Sequence, residues 1–72
     1  MKLYITEATS PNGQKMRFEY SENDTNTIDS FTWKDGKWNN GGQLERANYE
    51  KGLSRMKERG FQITETTGNT SA

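Results

Sequence analysis

Asp35 and Gly36 lie between two short segments, FTWK and KWNN, in which aromatic and polar residues alternate. An Asp-Gly pair in this position favours a two-residue type I′ turn, because both central residues of that turn need a positive φ. Such a turn places Trp33 directly opposite Trp38 on the adjacent strand. An aromatic cross-strand pair stabilises a hairpin by about 0.2–1 kcal/mol. The segment therefore predicts an antiparallel hairpin that contains both tryptophans of the chain.

Strand-like alternation also occurs elsewhere in the chain and is clearest at residues 15–21. There, Met16, Phe18 and Tyr20 alternate with charged residues, which is typical of a half-buried antiparallel strand. The other predicted strands are residues 2–8, residues 28–34, a short strand that starts at residue 37, and residues 61–65. The chain is therefore expected to form mainly antiparallel sheet.

Polar segments separate these strands. Residues 9–14 contain a proline and an Asn-Gly pair, which predict a hairpin loop. Residues 22–27, with the sequence ENDTNT, predict a mobile loop, and residues 66–72, with the sequence TTGNTSA, predict a disordered tail. A single folded domain is therefore expected to span residues 1–65.

One segment, residues 43–59, has the period of a helix rather than a strand. Tyr49, Leu53 and Met56 fall on one stripe of that helix. Cationic residues followed by a glycine suit its C-terminal end, where glycine readily adopts the left-handed conformation. Gly52 costs the helix about 1 kcal/mol relative to alanine, so we expect this glycine to permit a close approach of helix and sheet.

These elements predict a small α+β domain in the order β-β-β-β-α-β, with a short fourth strand. Its antiparallel sheet has four to five strands, and one helix packs on one face. Only 28% of the 72 residues are apolar or aromatic, and valine is absent. Aromatic side chains, which bury roughly 150–250 Å² each, must therefore supply much of the core. We expect both tryptophans in that core, with Trp33 buried and Trp38 the one that could be partly exposed.

A core of this size rarely supplies more than about 3–5 kcal/mol of stability. The chain has no cysteine, so disulfide bonds cannot add to it. Self-association is another way for a small domain to gain stability. A homodimer is therefore a reasonable expectation.

The residue types present argue against catalysis. Histidine and cysteine are absent, which removes the commonest general base, the thiol nucleophile and His/Cys metal sites. The segment SENDTNTID lacks the glycine and the final glutamate of a calcium-binding loop. Gly41 and Gly42 lack the spacing of a phosphate-binding loop and are explained by a plain connection to the helix. We expect a protein that is not an enzyme and that binds no metal or cofactor.

Composition also bears on location and partners. No apolar run approaches the roughly 20 residues of a membrane span, and residues 1–8 do not resemble a signal peptide, so we expect a cytoplasmic protein without membrane contact. The absence of cysteine is compatible with a reducing compartment. Ten basic and ten acidic residues give a net charge of zero. Proteins that coat nucleic acid usually carry a basic excess, so the net charge argues against that function.

Two groups of residues are candidates for contact with a partner. The hairpin group consists of Lys34, Lys37 and Trp38. The helix group consists of Lys51, Arg55 and Arg59. The helix cations follow i, i+4 spacing on a stripe away from the apolar one, which suits an acidic partner. Lys15 and Arg17, on a neighbouring strand, would extend the hairpin group into a nucleic-acid site, where bases stack on aromatic rings and phosphates meet cations.

Three functions are compatible with these features. The first is a small, non-enzymatic protein-binding module. The chain is similar in composition to accessory proteins of phages and other mobile elements, which implies binding and modulation of a host protein, anti-CRISPR inhibitors being one such class. The first alternative is a nucleic-acid-binding domain that uses the basic and aromatic hairpin. The second alternative is a structural homodimer in which sheet edges pair.

Overall fold

The computed structural model of the chain describes residues 1–69. Its elements are β1 (Lys2–Thr9), β2 (Lys15–Ser21), β3 (Asp24–Lys34), β4 (Lys37–Glu45), α1 (Arg46–Glu58) and β5 (Gln62–Asn69). The strands form one antiparallel sheet in the order β4-β3-β2-β1-β5, and α1 packs on one of its faces. The predicted α+β class and the order β-β-β-β-α-β are confirmed.

The connections follow the chain in a simple way. Strands β1 to β4 form a meander, after which α1 crosses the sheet from the β4 edge to the opposite edge, where β5 pairs with β1. The predicted hairpin turn is present, since Asp35 has φ 55° and Gly36 has φ 76°. The predicted loop before β2 is also present, with Gly13 at φ 91°. Turn chemistry was therefore readable from the sequence.

The core lies between α1 and the sheet. Its buried side chains are Phe18, Ile28, Tyr49 and Leu53, and the partly buried side chains packed against them are Met16, Tyr20, Leu44, Met56 and Ile63. The predicted inner face of β2 and the predicted inner stripe of α1 are therefore both confirmed.

The prediction that both tryptophans serve the core, with Trp33 buried, is wrong, because Trp38 pairs with Trp33 and neither packs against the core. Ile28 is fully buried under α1, and Ser30 lies opposite Phe18 of the core. Because alternate residues of a strand point to opposite faces, Phe31 and Trp33 lie on the face away from α1. Trp33 is 45% exposed as a result.

A buried polar contact joins the helix to the sheet. The Thr6 hydroxyl and the Tyr49 hydroxyl share a hydrogen bond, with 2.7 Å between the oxygens. The Tyr49 ring also packs edge-on against Phe18 and Tyr20. Tyr49 therefore fixes the position of α1 through both apolar and polar contacts.

The structure places the start of α1 at Arg46 and not at residue 43. Gln43 and Leu44 belong to β4, where Leu44 lies opposite Ile28 and packs against the core. Strand β4 therefore has nine residues and is not short. The segment NNGG does not end β4, because a register shift and a positive φ of 96° at Gly42 accommodate it within the ladder.

The end of α1 is as predicted. Gly60 has φ 85°, the Phe61 N–H donates to the Met56 carbonyl over 3.0 Å, and the Gly60 N–H donates to the Lys57 carbonyl over 3.2 Å. These bonds form a Schellman motif. The role predicted for Gly52 is wrong, because a Cβ atom at this position would meet no atom within 4 Å.

Two polar segments are more ordered than expected. Residues 22–27 do not form a loop, since β3 begins at Asp24 after a two-residue turn and pairs with β2 and β4. The tail expected from residue 66 does not begin there, because β5 continues to Asn69 in register with β1. The rest of that predicted tail, residues 70–72, lies outside the described residues.

Candidate functional site

The face of the sheet opposite α1 is the candidate site, and we call it the helix-free face. Residues paired across antiparallel strands share a face, so the strand register defines this surface. Its larger side chains are Leu3, Ile5, Glu7, Lys15, Arg17, Glu19, Asp29, Phe31, Trp33, Trp38, Asn40, Gln43, Glu45 and Gln62. Within residues 1–69 no secondary-structure element packs on it.

Three aromatic residues at the β3–β4 end of this face form an aromatic patch: Phe31, Trp33 and Trp38. The two indole rings lie edge to face, with centroids 5.2 Å apart and planes at 74°. Phe31 and Trp38 are half-buried, whereas Trp33 is exposed. The Asp35–Gly36 turn places the two tryptophans directly opposite each other.

Arg17 borders the aromatic patch and is held in place by two carboxylates. Its Nε lies 2.7 Å from Glu19 Oε2, and its Nη1 lies 3.3 Å from Glu7 Oε1. Its Cζ lies 5.8 Å from the centroid of the Trp38 ring, within the range of a cation–π contact. Partly exposed ion pairs contribute little stability. Their effect here is to orient Arg17 and to neutralise its charge.

The charges on the helix-free face favour the negative sign. Four carboxylates, those of Glu7, Glu19, Asp29 and Glu45, share it with two cations, Lys15 and Arg17. Glu19 and Asp29 lie directly opposite each other on adjacent strands. The Gln43 side-chain amide donates to Asp29 Oδ1 over 3.1 Å, which satisfies one oxygen of that carboxylate.

The structure separates the predicted contact residues into distinct regions. Lys15, Arg17 and Trp38 lie on the helix-free face, while the register places Lys34 and Lys37 on the side of α1 at the hairpin tip. Lys34 also lines a depression at the end of β2 and β3 together with Lys15 and Trp33.

The other three candidates are on the helix itself. Lys51 and Arg55 are exposed on α1 beside Glu50 and Glu58, and Arg59 is the C-terminal cap. This surface lies on the opposite side of the sheet from the aromatic patch, so the two predicted groups do not form one site.

Sequence reasoning missed Phe31 and Trp33 as surface residues. It also missed Glu7 and Glu19 as partners of Arg17. The Arg17–Glu19 pair was visible as two opposite charges two residues apart on a predicted strand, hence on one face. The exposure of Trp33 was not visible, because it depends on which face α1 covers.

A second aromatic pair lies on the helix side of the sheet. Tyr4 and Tyr20 stack with centroids 5.1 Å apart, and Arg46 Cζ lies 5.0 Å from the Tyr20 ring centroid. The interaction with Tyr20 is the main factor that raises the pKa of Arg46. Burial raises the pKa of Tyr49, against an opposing contribution from the Thr6 hydrogen bond. Tyr49 therefore stays neutral at physiological pH and serves as a structural group.

Two further features concern the part of the chain that the structure describes. Residues 1–69 contain no group of three acidic side chains placed to hold a metal ion. The single helix of that region is too short and too polar to cross a membrane.

Comparison with known protein families, with curated proteins and with solved structures found no match to this chain.

Proposed function

We propose that the chain is a small protein-binding module and that the helix-free face is its binding surface, centred on the aromatic patch. The observation that carries this proposal is the 45% exposure of Trp33 beside Trp38 and Phe31. Tryptophan, tyrosine and arginine dominate the energetic centres of protein interfaces. A chain with few apolar residues that leaves a tryptophan exposed loses burial energy there unless a partner covers it.

The chemistry of the face indicates the kind of partner. The aromatic rings at one end of the face would fill an apolar depression on the partner. The four carboxylates would meet cationic side chains of the partner around that depression. Face-to-face pairing of two copies is disfavoured, since it would bring together two surfaces on which carboxylates outnumber cations. Occupation of a basic surface on another protein would suit an inhibitor of a host protein, the role implied by the composition.

The nucleic-acid alternative rests on the same aromatic residues but has weaker support. A strand of phosphates needs unpaired cations beside the rings. Arg17 is already bonded to Glu7 and Glu19, and carboxylates outnumber cations on this face. The hairpin lysines Lys34 and Lys37 project to the other side. These observations favour a protein partner over nucleic acid.

Site-specific photo-crosslinking tests the proposal. Benzoylphenylalanine replaces Trp33 in one version of the protein and Lys51, an exposed residue of α1, in a matched control. Both versions are irradiated in a lysate of the cells in which the chain is naturally produced, with and without nuclease. We expect a discrete protein adduct from position 33 alone, competed by excess wild-type protein but not by Trp33→Ala.

Three results would contradict the proposal. Equal competition by the Trp33→Ala variant would show that the aromatic patch is not needed for binding. An adduct that forms from position 51 and not from position 33 would assign binding to the helix. An adduct at position 33 that disappears with nuclease would favour the nucleic-acid alternative.

A further inference from the structure

The two edges of the sheet differ in how their backbone groups are protected. Exposed edge strands are templates for pairing with another strand, and proteins usually block them with bulges, lysine, proline or local hydrogen bonds. Strand β4 is blocked in this way. It contains the register shift near Gly42, the Gly42 N–H donates to Asn40 Oδ1 over 2.7 Å, and the Ser30 hydroxyl donates to the Gly42 carbonyl over 2.9 Å.

The β5 edge lacks these devices. Its eight residues, QITETTGN, include no lysine and no proline. Its pairing with β1 continues without a register shift from Gln62 to Asn69. Among the side chains of residues 1–68, none forms a hydrogen bond to the backbone of residues 62–68. Every second residue of β5 therefore presents its N–H and C=O to the outside of the sheet.

We propose that β5 is a dimerisation edge that pairs antiparallel with β5 of a second copy of this chain. A two-fold axis normal to the sheet would join two five-stranded sheets into one continuous sheet. This inference is independent of the function proposed above. The dimer would extend the proposed function in one respect. The two-fold axis places both helix-free faces on the same side of the joined sheet, so one dimer presents two aromatic patches.

Charge selects the register of this pairing. Residues directly opposite each other in an antiparallel pair share a face. A two-fold axis normal to the sheet must therefore pass midway between the two copies of one residue. An axis at Glu65 would place two carboxylates directly opposite each other, which is destabilising. An axis at Thr66 places Thr66 against Thr66 of the second copy and Glu65 against Thr67. It also retains seven paired residues, 63–69, of the eight in the strand. We therefore assign the axis to Thr66.

Sedimentation equilibrium and cysteine crosslinking test the pairing. The wild-type chain is expected to have a mass near twice 8.3 kDa that falls towards 8.3 kDa on dilution. Because the chain has no cysteine, single-cysteine variants report one contact each. Thr66→Cys should form a disulfide-linked dimer many times faster than Gln43→Cys, a matched exposed residue of the β4 edge.

A second pair of variants keeps the test valid if the cysteine variant folds poorly. Thr66→Asp places like charges on the axis, whereas Thr66→Asn is similar in size and neutral. We expect Thr66→Asp to be monomeric and Thr66→Asn to remain dimeric. Amide exchange of the wild-type chain should show alternate β5 amides that lose protection on dilution while their neighbours, bonded to β1, keep it.

The proposal fails under three outcomes. A wild-type chain that remains monomeric from micromolar to millimolar concentration would overturn it. A dimer that crosslinks through Gln43→Cys and not through Thr66→Cys would assign pairing to the β4 edge. A dimer unchanged by Thr66→Asp, with concentration-independent exchange in β5, would assign pairing to a surface other than this edge.

Discussion

The indole rings of Trp33 and Trp38 lie 5.2 Å apart at 74°, on the face of the sheet that α1 does not cover. The pair therefore stabilises the β3–β4 hairpin locally without contributing to the core beneath the helix. The Asp35–Gly36 turn sets the geometry of this pair. One side of Trp38 is also covered by Arg17, whereas Trp33 is left exposed. A single hairpin thus supplies both a stabilising contact and the centre of the candidate binding surface.

The tryptophan pair has a direct spectroscopic consequence. Two coupled indoles at this distance should give an exciton couplet in the far-ultraviolet circular dichroism, and either Trp33→Ala or Trp38→Ala should abolish it. Loss of the pair should lower the free energy of unfolding by about 0.5–1.5 kcal/mol in Trp33→Ala. Trp38→Ala should cost more, because Trp38 is half-buried and contacts Arg17. A couplet that survives in Trp33→Ala would show that the rings do not meet.

Two glycines should respond in opposite directions to alanine. Gly52→Ala should raise the free energy of unfolding by about 1 kcal/mol, since alanine is the better helix former and its Cβ meets no atom within 4 Å. Gly60→Ala should lower it by about 1–2 kcal/mol, because Gly60 has φ 85° in the left-handed region. Urea unfolding of both variants measures the difference. A destabilising Gly52→Ala would show that the helix lies closer to the sheet than described.

The buried hydrogen bond between Thr6 and Tyr49 should be detectable as a coupling. Tyr49→Phe leaves the Thr6 hydroxyl buried without its partner, which should cost about 1–3 kcal/mol. Combining Tyr49→Phe with Thr6→Val removes both polar groups and should cost less than the sum of the single changes. A double-mutant cycle in urea measures this coupling. Additive single effects would argue that the two hydroxyls do not share a bond.

Tyr49 should also make stability depend on pH in the alkaline range. Its pKa is raised by burial above the ordinary value of 10.0, so the unfolded chain loses this proton at lower pH than the folded chain. The stabilising contribution is therefore complete below about pH 10 and is lost as pH rises through the folded pKa. Urea midpoints measured from neutral to alkaline pH should fall more steeply for the wild-type chain than for Tyr49→Phe. Parallel curves would contradict the role of burial.

Local signals in the sequence were sufficient for several parts of the fold. The Asp35–Gly36 turn, the alternation of β2 and the apolar stripe of α1 were each readable, because turn residues and periodicity act over short distances. Residues 64–67 also carried a signal that the prediction did not use. Threonine is β-branched and favours strands, and three of these four residues are threonine.

Other features depended on contacts between distant segments. Both faces of β3 carry apolar residues, Ile28 on one and Phe31 with Trp33 on the other, so alternation could not decide which face α1 covers. The register decided it by placing Ser30 opposite Phe18. The start of α1 was displaced for a similar reason, because pairing of Leu44 with Ile28 outweighs the helical period of residues 43–45.

The contact proposed above joins the helix-free face to a protein partner through the aromatic patch. The most direct measurement is a ¹⁵N–¹H spectrum of the chain, titrated with the protein captured at position 33 and, separately, with a short single-stranded oligonucleotide. We predict that the indole N–H signals of Trp33 and Trp38 shift or broaden when the captured protein is added, while the amide signals on the outer side of α1 stay unchanged. Addition of the oligonucleotide should leave the whole spectrum of the chain unchanged. Unmoved indoles with shifts along α1, or indole shifts with the oligonucleotide that vanish in high salt, would contradict the claim.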